Sequence, residues 1–384
     1  MNTISYVPEC SQVGHVESPR LRPENHPRRS QTNPSSKRLP CPTSRWESPR
    51  TAPARGLRTA LYLCGLAASV GFATIARAAD ADSLGVPTTA ASPAVTPPRV
   101  GGYIQARQTL VEGVGYSAFL NRARASVDGA LPAKFAYRLL VEFQASAGVR
   151  APATVSLREA VARWNPAPFA LTAGEFKTPF TREYLIPVPA LELADLAVAV
   201  DSLAPKYDVG MMGEYAYGPY ATLAVGVFNG EGANAIANRD SVAIIVARAT
   251  ARPLPQLSLG ASYSHDSADS LRWGVDAAFQ SLGLGGRAEY LTRHVEGRPR
   301  DRDDFGWYVL EGARITPRTS FYARQEDFQR PVIGASRRVR AYEYAINYDV
   351  APGKVRVLVQ FTRRLAGVRS QRLDTTLAQV QVQL

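Results

Sequence analysis

The sequence predicts an all-β fold: a transmembrane antiparallel β-barrel of sixteen strands, with short turns at one end and longer loops at the other. Three observations carry that prediction. Segments of about ten residues alternate apolar and polar side chains all the way to the last residue. The connections between them alternate between short turns and longer polar stretches. No apolar run between residues 101 and 384 is long enough to make a membrane helix.

The alternation is clearest at the C-terminus, where residues 378–384 read AQVQVQL, and in residues 354–361, which read KVRVLVQF. A period of two puts apolar side chains on one face of a strand and polar ones on the other. Sixteen such segments start near residues 101, 118, 135, 155, 169, 207, 220, 240, 257, 270, 284, 304, 319, 338, 354 and 375. An even number suits a barrel that closes on itself and leaves no edge unpaired in lipid. Short connections rich in Gly and Pro lie at 129–134, 165–168, 218–219, 253–255, 281–286, 316–318 and 351–353. Longer polar ones lie at 111–118, 145–154, 181–206, 229–240, 265–269, 294–303, 327–338 and 365–374. This asymmetry places both chain ends on the short-turn, periplasmic side. A water-soluble sandwich or a large soluble barrel is the competing reading. The strand length, the loop asymmetry and the many charges on the polar faces count against a dry interior.

The barrel is expected over residues 101–384, and the segments before it read differently. Residues 55–78 carry Arg55 and Arg58, then an apolar stretch, then Ala76-Arg77-Ala78, which is the order of a cleaved secretory signal peptide. Residues 1–54 are rich in Pro, Ser, Asn and Arg and have no apolar period, as expected of a disordered leader or of a start assigned too early. Residues 79–100 form a tether rich in Pro, Ala and Thr. Of the chain's net charge of +12, residues 1–78 hold 11 Lys/Arg against four Asp/Glu, which leaves +5 for the remainder. Basicity is therefore no argument for nucleic acid. Cys10, Cys41 and Cys64 all precede residue 79, so the barrel has no disulfide and no cysteine metal site.

Residues 119–124 (FLNRAR) with Val127-Asp128-Gly129, then residues 135–138 (FAYR), resemble the second-strand region of a known family, the phosphate-selective porins (porins O and P) of Gram-negative outer membranes. Residues 174–183 (GEFKTPFTRE) resemble its most distinctive stretch. Tyr207-Asp208-Val209-Gly210-Met211 and Gly226-Val227-Phe228-Asn229-Gly230 resemble two more. The match is strongest over 102–252 and generic afterwards. The resemblance implies a sixteen-stranded, trimeric outer-membrane porin whose third external loop folds into the lumen. The residues agree. Segment 181–206 is the longest connection and is too apolar for open water, with Leu185, Ile186, Val188, Leu191, Leu193, Leu196, Val198, Val200 and Leu203. It needs a wall to pack on.

Alternation also assigns charges to the lumen. The basic candidates are Arg107, Arg122, Arg124, Arg138, Lys177, Arg272, Arg287, Arg293, Arg324 and Arg356, with Arg182 and Lys206 on the loop. The acidic ones on the wall are Asp128, Glu142, Glu175, Asp276, Glu289 and Glu326. A basic excess favours anions, and an arginine fork matches phosphate. Arg122, Arg124 and Lys177 are the first candidates for selectivity. The same charges can instead form cross-strand ion pairs that only stiffen the wall. Four acids on the loop, Glu183, Glu192, Asp195 and Asp201, oppose an anion, and Ala194-Asp195 stands where the family resemblance leads one to expect a Glu-Arg pair.

The expected function is passive diffusion of small hydrophilic solutes, with a mild preference for phosphate-like anions. Alternatives are a non-selective structural or adhesion-type barrel and an outer-membrane lipase-type enzyme. His265 and His294, the two histidines after residue 79, have no recognisable nucleophile beside them, so no catalysis is expected. No cofactor or metal is expected either. The expected partners are outer-membrane lipid and lipopolysaccharide, a homotrimer of the chain, the barrel-assembly machinery through the C-terminal strand, and small anionic solutes.

Overall fold

The structure is a computed structural model and describes residues 97–144, 154–235, 237–266, 270–297, 301–332, 335–367 and 371–384. The leader, the signal-peptide segment and nearly all of the tether lie outside these residues. Sixteen strands form one closed antiparallel barrel. They are β1 (Arg99–Val111), β2 (Gly115–Leu131), β3 (Phe135–Gln144), β4 (Thr154–Trp164), β5 (Phe169–Lys177), β6 (Tyr207–Tyr217), β7 (Ala221–Phe228) and β8 (Ile244–Leu254). They continue with β9 (Leu257–Asp266), β10 (Ser270–Ser281), β11 (Leu284–Val295), β12 (Arg302–Thr316), β13 (Thr319–Val332), β14 (Ala335–Ala351), β15 (Val355–Ala366) and β16 (Gln371–Gln383). Each strand pairs with its sequence neighbours, and β1 closes on β16 with Tyr103 opposite Gln383 and Val111 opposite Thr375.

The alternation resolves into an outside and an inside. Ile104, Leu223, Val275, Ile346 and Val380 are well exposed on the outer face, as side chains meant for lipid must be. Gln105, Arg107, Glu142, Arg287, Arg324 and Gln381 are buried on the inner face although all are polar. Two bulges adjust this pattern. The register slips between Leu140 and Val141, which pushes Arg158 of β4 inward beside Glu159. A similar slip opposite Gln105–Ala106 brings both Asn121 and Arg122 to the lumen. Gly174 has φ +122°, and a Cβ there would stand 1.9 Å from the Ala160 carbonyl oxygen, so only glycine fits.

Some expected loops are shorter than the sequence suggests. Residues 112–114 make a tight turn rather than a long loop, because Val111 and Gly115 are still paired. The polar stretch 327–338 is mostly strand, with Asp327 opposite Arg340 and Gln329 opposite Arg338. Polar residues there extend the ladder outward instead of leaving it.

The third external connection behaves as its apolar content requires. Residues 178–206 carry helix α1 (Arg182–Leu185), a 3-10 turn (Val188–Ala190) and helix α2 (Val198–Leu203). They form, with the inner wall, the larger of the two apolar clusters among the described residues. Phe180, Leu193, Ala197, Ala199, Val200 and Leu203 pack there against Phe176, Phe228, Val246, Leu291, Tyr308 and Phe328. Gly306 lets α2 approach β12, because a Cβ at that position would lie 2.7 Å from the Ala199 Cβ.

Candidate functional site

The loop that leaves β5 is held inside the barrel by hydrogen bonds to the arc of strands from β11 round to β1. Thr181 caps α1 by accepting from the Tyr184 amide at 3.1 Å. The amides of Arg182 and Glu183 donate to Glu289 of β11, at 3.0 and 2.6 Å. The Val198 amide, at the start of α2, donates to Glu326 of β13 at 2.6 Å. In between, the chain follows the adjoining wall formed by β14–β16 and β1. Arg356 of β15 donates to the carbonyls of Pro189 and Leu191, Gln381 of β16 to Pro189, and Asn347 of β14 to Glu192. Arg107 of β1 donates to the Ala194 carbonyl at 2.9 Å.

The loop carboxylates are the second set of ties. Glu183 is 1% exposed and lies between Arg287 at 3.1 Å and Arg324 at 3.0 Å. It also accepts from the Ala197 amide at 2.8 Å. Glu192 pairs with Arg287 at 2.6 Å. Asp195 pairs with Arg107 at 2.9 Å, but its side chain stays 51% exposed to the lumen. Enclosure in the barrel raises the Asp195 carboxyl; the charge and hydrogen bonds of Arg107 outweigh this and hold it below the usual carboxylate range. Asp201 pairs with Lys206 at 2.7 Å, both more than half exposed.

The basic candidates therefore divide. Lys177 does not line the open lumen. It is buried and donates to the carbonyls of Tyr184 and Ile186, at 2.6 and 3.1 Å, so it closes the α1 turn from beneath. Arg182 is also buried, against Asp276 at 2.7 Å, and is a strut. Lys206 sits at the loop's exposed end. Arg107 fastens the loop. Arg124 pairs with Glu142 at 2.8 Å, and Arg138 bridges Asp128 and Glu159, at 3.2 and 2.8 Å. Arg122 differs from these. Its guanidinium donates to the Gln105 side chain at 3.2 Å, and no carboxylate pairs with it among the described residues. Of the wall acids, Glu175 and Asp276 are held by Asn234 and by Arg182 with Arg248.

Reading alternation alone misses three members of this wall. Arg158 pairs with Glu142 at 2.6 Å, and its guanidinium stands 5.8 Å from the Tyr207 ring centre. Arg124 stands 5.8 Å from the Tyr103 ring. The Tyr184 and Tyr207 rings meet edge to face at 5.9 Å. Arg122, Arg124, Arg158, Tyr103 and Tyr207 thus form one basic and aromatic stretch of the inner wall on β1, β2, β4 and β6, with Tyr103 and Tyr207 buried in it. Below the loop, toward the short turns, a cavity of about 990 Å³ is lined by Glu192, Arg252, Arg287, Arg314, Tyr322 and Arg356, among others. Above it, Arg293, Arg302 and Arg330 converge on the buried Asp304 at 2.5, 3.0 and 3.3 Å, with Arg272 opposite Arg293 in the ladder. The exposed Asp303 and the nearby Asp301 lie at the same end of the barrel. His294 pairs with Asp303 and not with a nucleophile, and no group of three or more metal-binding side chains occurs among the described residues.

Residues 114–271 match the family described as phosphate-selective porin O and P. No curated protein sequence matches the chain. Solved structures do. An anion-selective porin from Comamonas acidovorans aligns with a TM-score of 0.61 at 9% identity, over 75% of this chain and 99% of the other. The outer-membrane channel DcaP of Acinetobacter baumannii aligns at 0.59 and 11% identity, over 75% and 97%. The trimer form of OmpT, an outer-membrane protein of Vibrio cholerae, aligns at 0.57 and 12% identity, over 75% and 99%. At such identities the likeness is one of fold.

Proposed function

We propose that this outer-membrane porin, matched over residues 114–271 to the phosphate-selective O and P type, passes small hydrophilic anions along the wall formed by β1–β4. One observation carries the reading. The loop acids that opposed an anion are occupied: Glu183 and Glu192 by Arg287 and Arg324, Asp195 by Arg107. Among the described residues no carboxylate pairs with Arg122, which stands on β2 beside the strand whose Arg107 holds Asp195. A positive excess in a low-dielectric eyelet attracts anions and repels cations. Three further parts belong to this reading: export through a signal peptide at residues 55–78, assembly as a homotrimer, and passage without catalysis.

The test is the reversal potential of the purified protein in planar bilayers under a KCl gradient, with and without phosphate. Anion selectivity is expected in wild type. The Arg122→Glu variant is expected to move the reversal potential toward the cation value. Cation selectivity of wild type would overturn the reading, and an unmoved Arg122→Glu variant would make Arg122 a wall residue only. Reduced chloride current on adding phosphate would identify phosphate as a bound permeant.

A further inference from the structure

A barrel in a membrane should present apolar side chains around its waist, and most of the outer face does. Ile245, Tyr263, Trp273 and Val275 on β8–β10 are typical and well exposed. The outer ends of β13–β16 depart from this. Arg338 and Arg340 of β14 lie on the outward face, in step with the exposed Tyr344 and Ile346 below them. Both turn to Asp327 of β13, Arg338 through Nε at 3.0 Å and Arg340 at 3.6 Å. On the next strand pair, Arg363 of β15 and Arg372 of β16 both turn to Asp374, each at 3.0 Å. Val359 and Val380 are the outward residues below that group. The two groups adjoin, since Arg363 faces Tyr342, two residues along β14 from Arg340. The aspartates are nearly buried under their arginines, while the four arginine side chains are 41–54% exposed.

The geometry points to a binding site for a phosphorylated lipid headgroup on this quarter of the barrel. Each aspartate takes part of two guanidiniums' donors and fixes their direction. An arginine has five N–H donors, so each fork keeps donors free on the membrane side. Two acids against four bases leave a net positive face directly above an apolar band. A molecule with phosphates at that height and acyl chains below it satisfies both halves at once, and arginine matches phosphate through paired hydrogen bonds. A second copy of the chain, the competing occupant, would not distinguish a lipid with phosphates from the same lipid without them. Since odd strands run from the periplasmic turns outward, the site lies in the outer leaflet, where the lipid is a phosphorylated glycolipid.

Native mass spectrometry of the full-length protein in detergent tests this, with bisphosphorylated lipid A, the same lipid stripped of its phosphates, and phosphatidylcholine as probes. Wild type is expected to retain bisphosphorylated lipid A about tenfold or more better than the stripped form. The combined variant Arg338→Gln, Arg340→Gln, Arg363→Gln, Arg372→Gln is expected to lose that preference. Its single-channel conductance should be unchanged, because none of the four faces the lumen. Excess inorganic phosphate should leave the lipid bound. Equal retention of both lipid A forms by wild type overturns the site even if the variant fails to fold. So does an undiminished preference in the folded variant, displacement by free phosphate, or loss of oligomer without loss of lipid.

Discussion

In the proposed channel the acid to test first is Asp195, because it binds a wall arginine and its side chain stays half exposed. Its carboxyl is raised by enclosure and lowered further by Arg107, and the net shift is downward. A group whose native pKa is depressed keeps its tie at every pH above the ordinary carboxylate value and loses it only as pH falls through the depressed one. The Asp195–Arg107 tie is therefore expected to be intact from pH 7 down past about 4. Wild-type reversal potential should stay flat over that range as far as this pair determines it. Asp195→Asn should shift it toward anions several fold in permeability ratio, since one charge at short range is worth roughly 1 kcal/mol even in water. An unchanged ratio would mean that Arg107 already cancels the aspartate for a passing ion. Glu183 presents the opposite case. It is enclosed between two arginines, so removing it would leave buried charge without a partner, and loop anchoring rather than selectivity would suffer.

At the scale of the element, the loop of residues 178–206 is held in two ways that separate cleanly. One is polar: wall carboxylates on the first amides of α1 and α2, and wall arginines on the loop acids. The other is the apolar seam in which Val200 is fully buried beside Leu203 and Tyr308. Val200→Asp places a carboxylate in that seam at a cost of several kcal/mol. The loop is expected to leave the wall while the strand ladder persists. Single-channel conductance should rise, and the thermal midpoint of the barrel should fall only slightly. Unchanged conductance would mean that the loop does not narrow the passage. The inward loop was legible in the sequence because an apolar stretch of this length must be covered. The strand starts were legible for the same kind of reason, since period two marks where lipid begins; ten of the sixteen differ by a residue or less, as at β3, β5 and β6. What period two cannot supply is what lies on a face. Lys177 has the right parity for the lumen, yet the loop covers it. Arg158 has the wrong parity for its role, and a one-residue bulge turns it inward.

At the scale of the whole molecule, function requires that the ladder close. An open edge in lipid would leave amides and carbonyls unpaired, and the passage would have no closed wall to hold the loop. The closing seam is β1 against β16, and it brings Arg107, Gln379 and Gln381 together beneath residues 189–195. The most distant parts of the barrel sequence thus build one side of the eyelet, and pairing of the C-terminal strand completes the site as well as the fold. Ile104 and Val382 stand directly opposite each other on the lipid face of this seam. Opposed antiparallel residues have Cα atoms about 4.5–5.5 Å apart, within reach of a disulfide. Cysteine occurs only at positions 10, 41 and 64, so the barrel itself contributes no competing thiol. An Ile104→Cys, Val382→Cys double variant is therefore expected to form an intramolecular disulfide on mild oxidation, visible as a reducible shift in gel mobility. Conductance and selectivity should match wild type, because both side chains point away from the lumen. If the thiols stayed free in a folded, conducting protein, the seam would have another register, and the placement of Arg107 under Asp195 would fall with it.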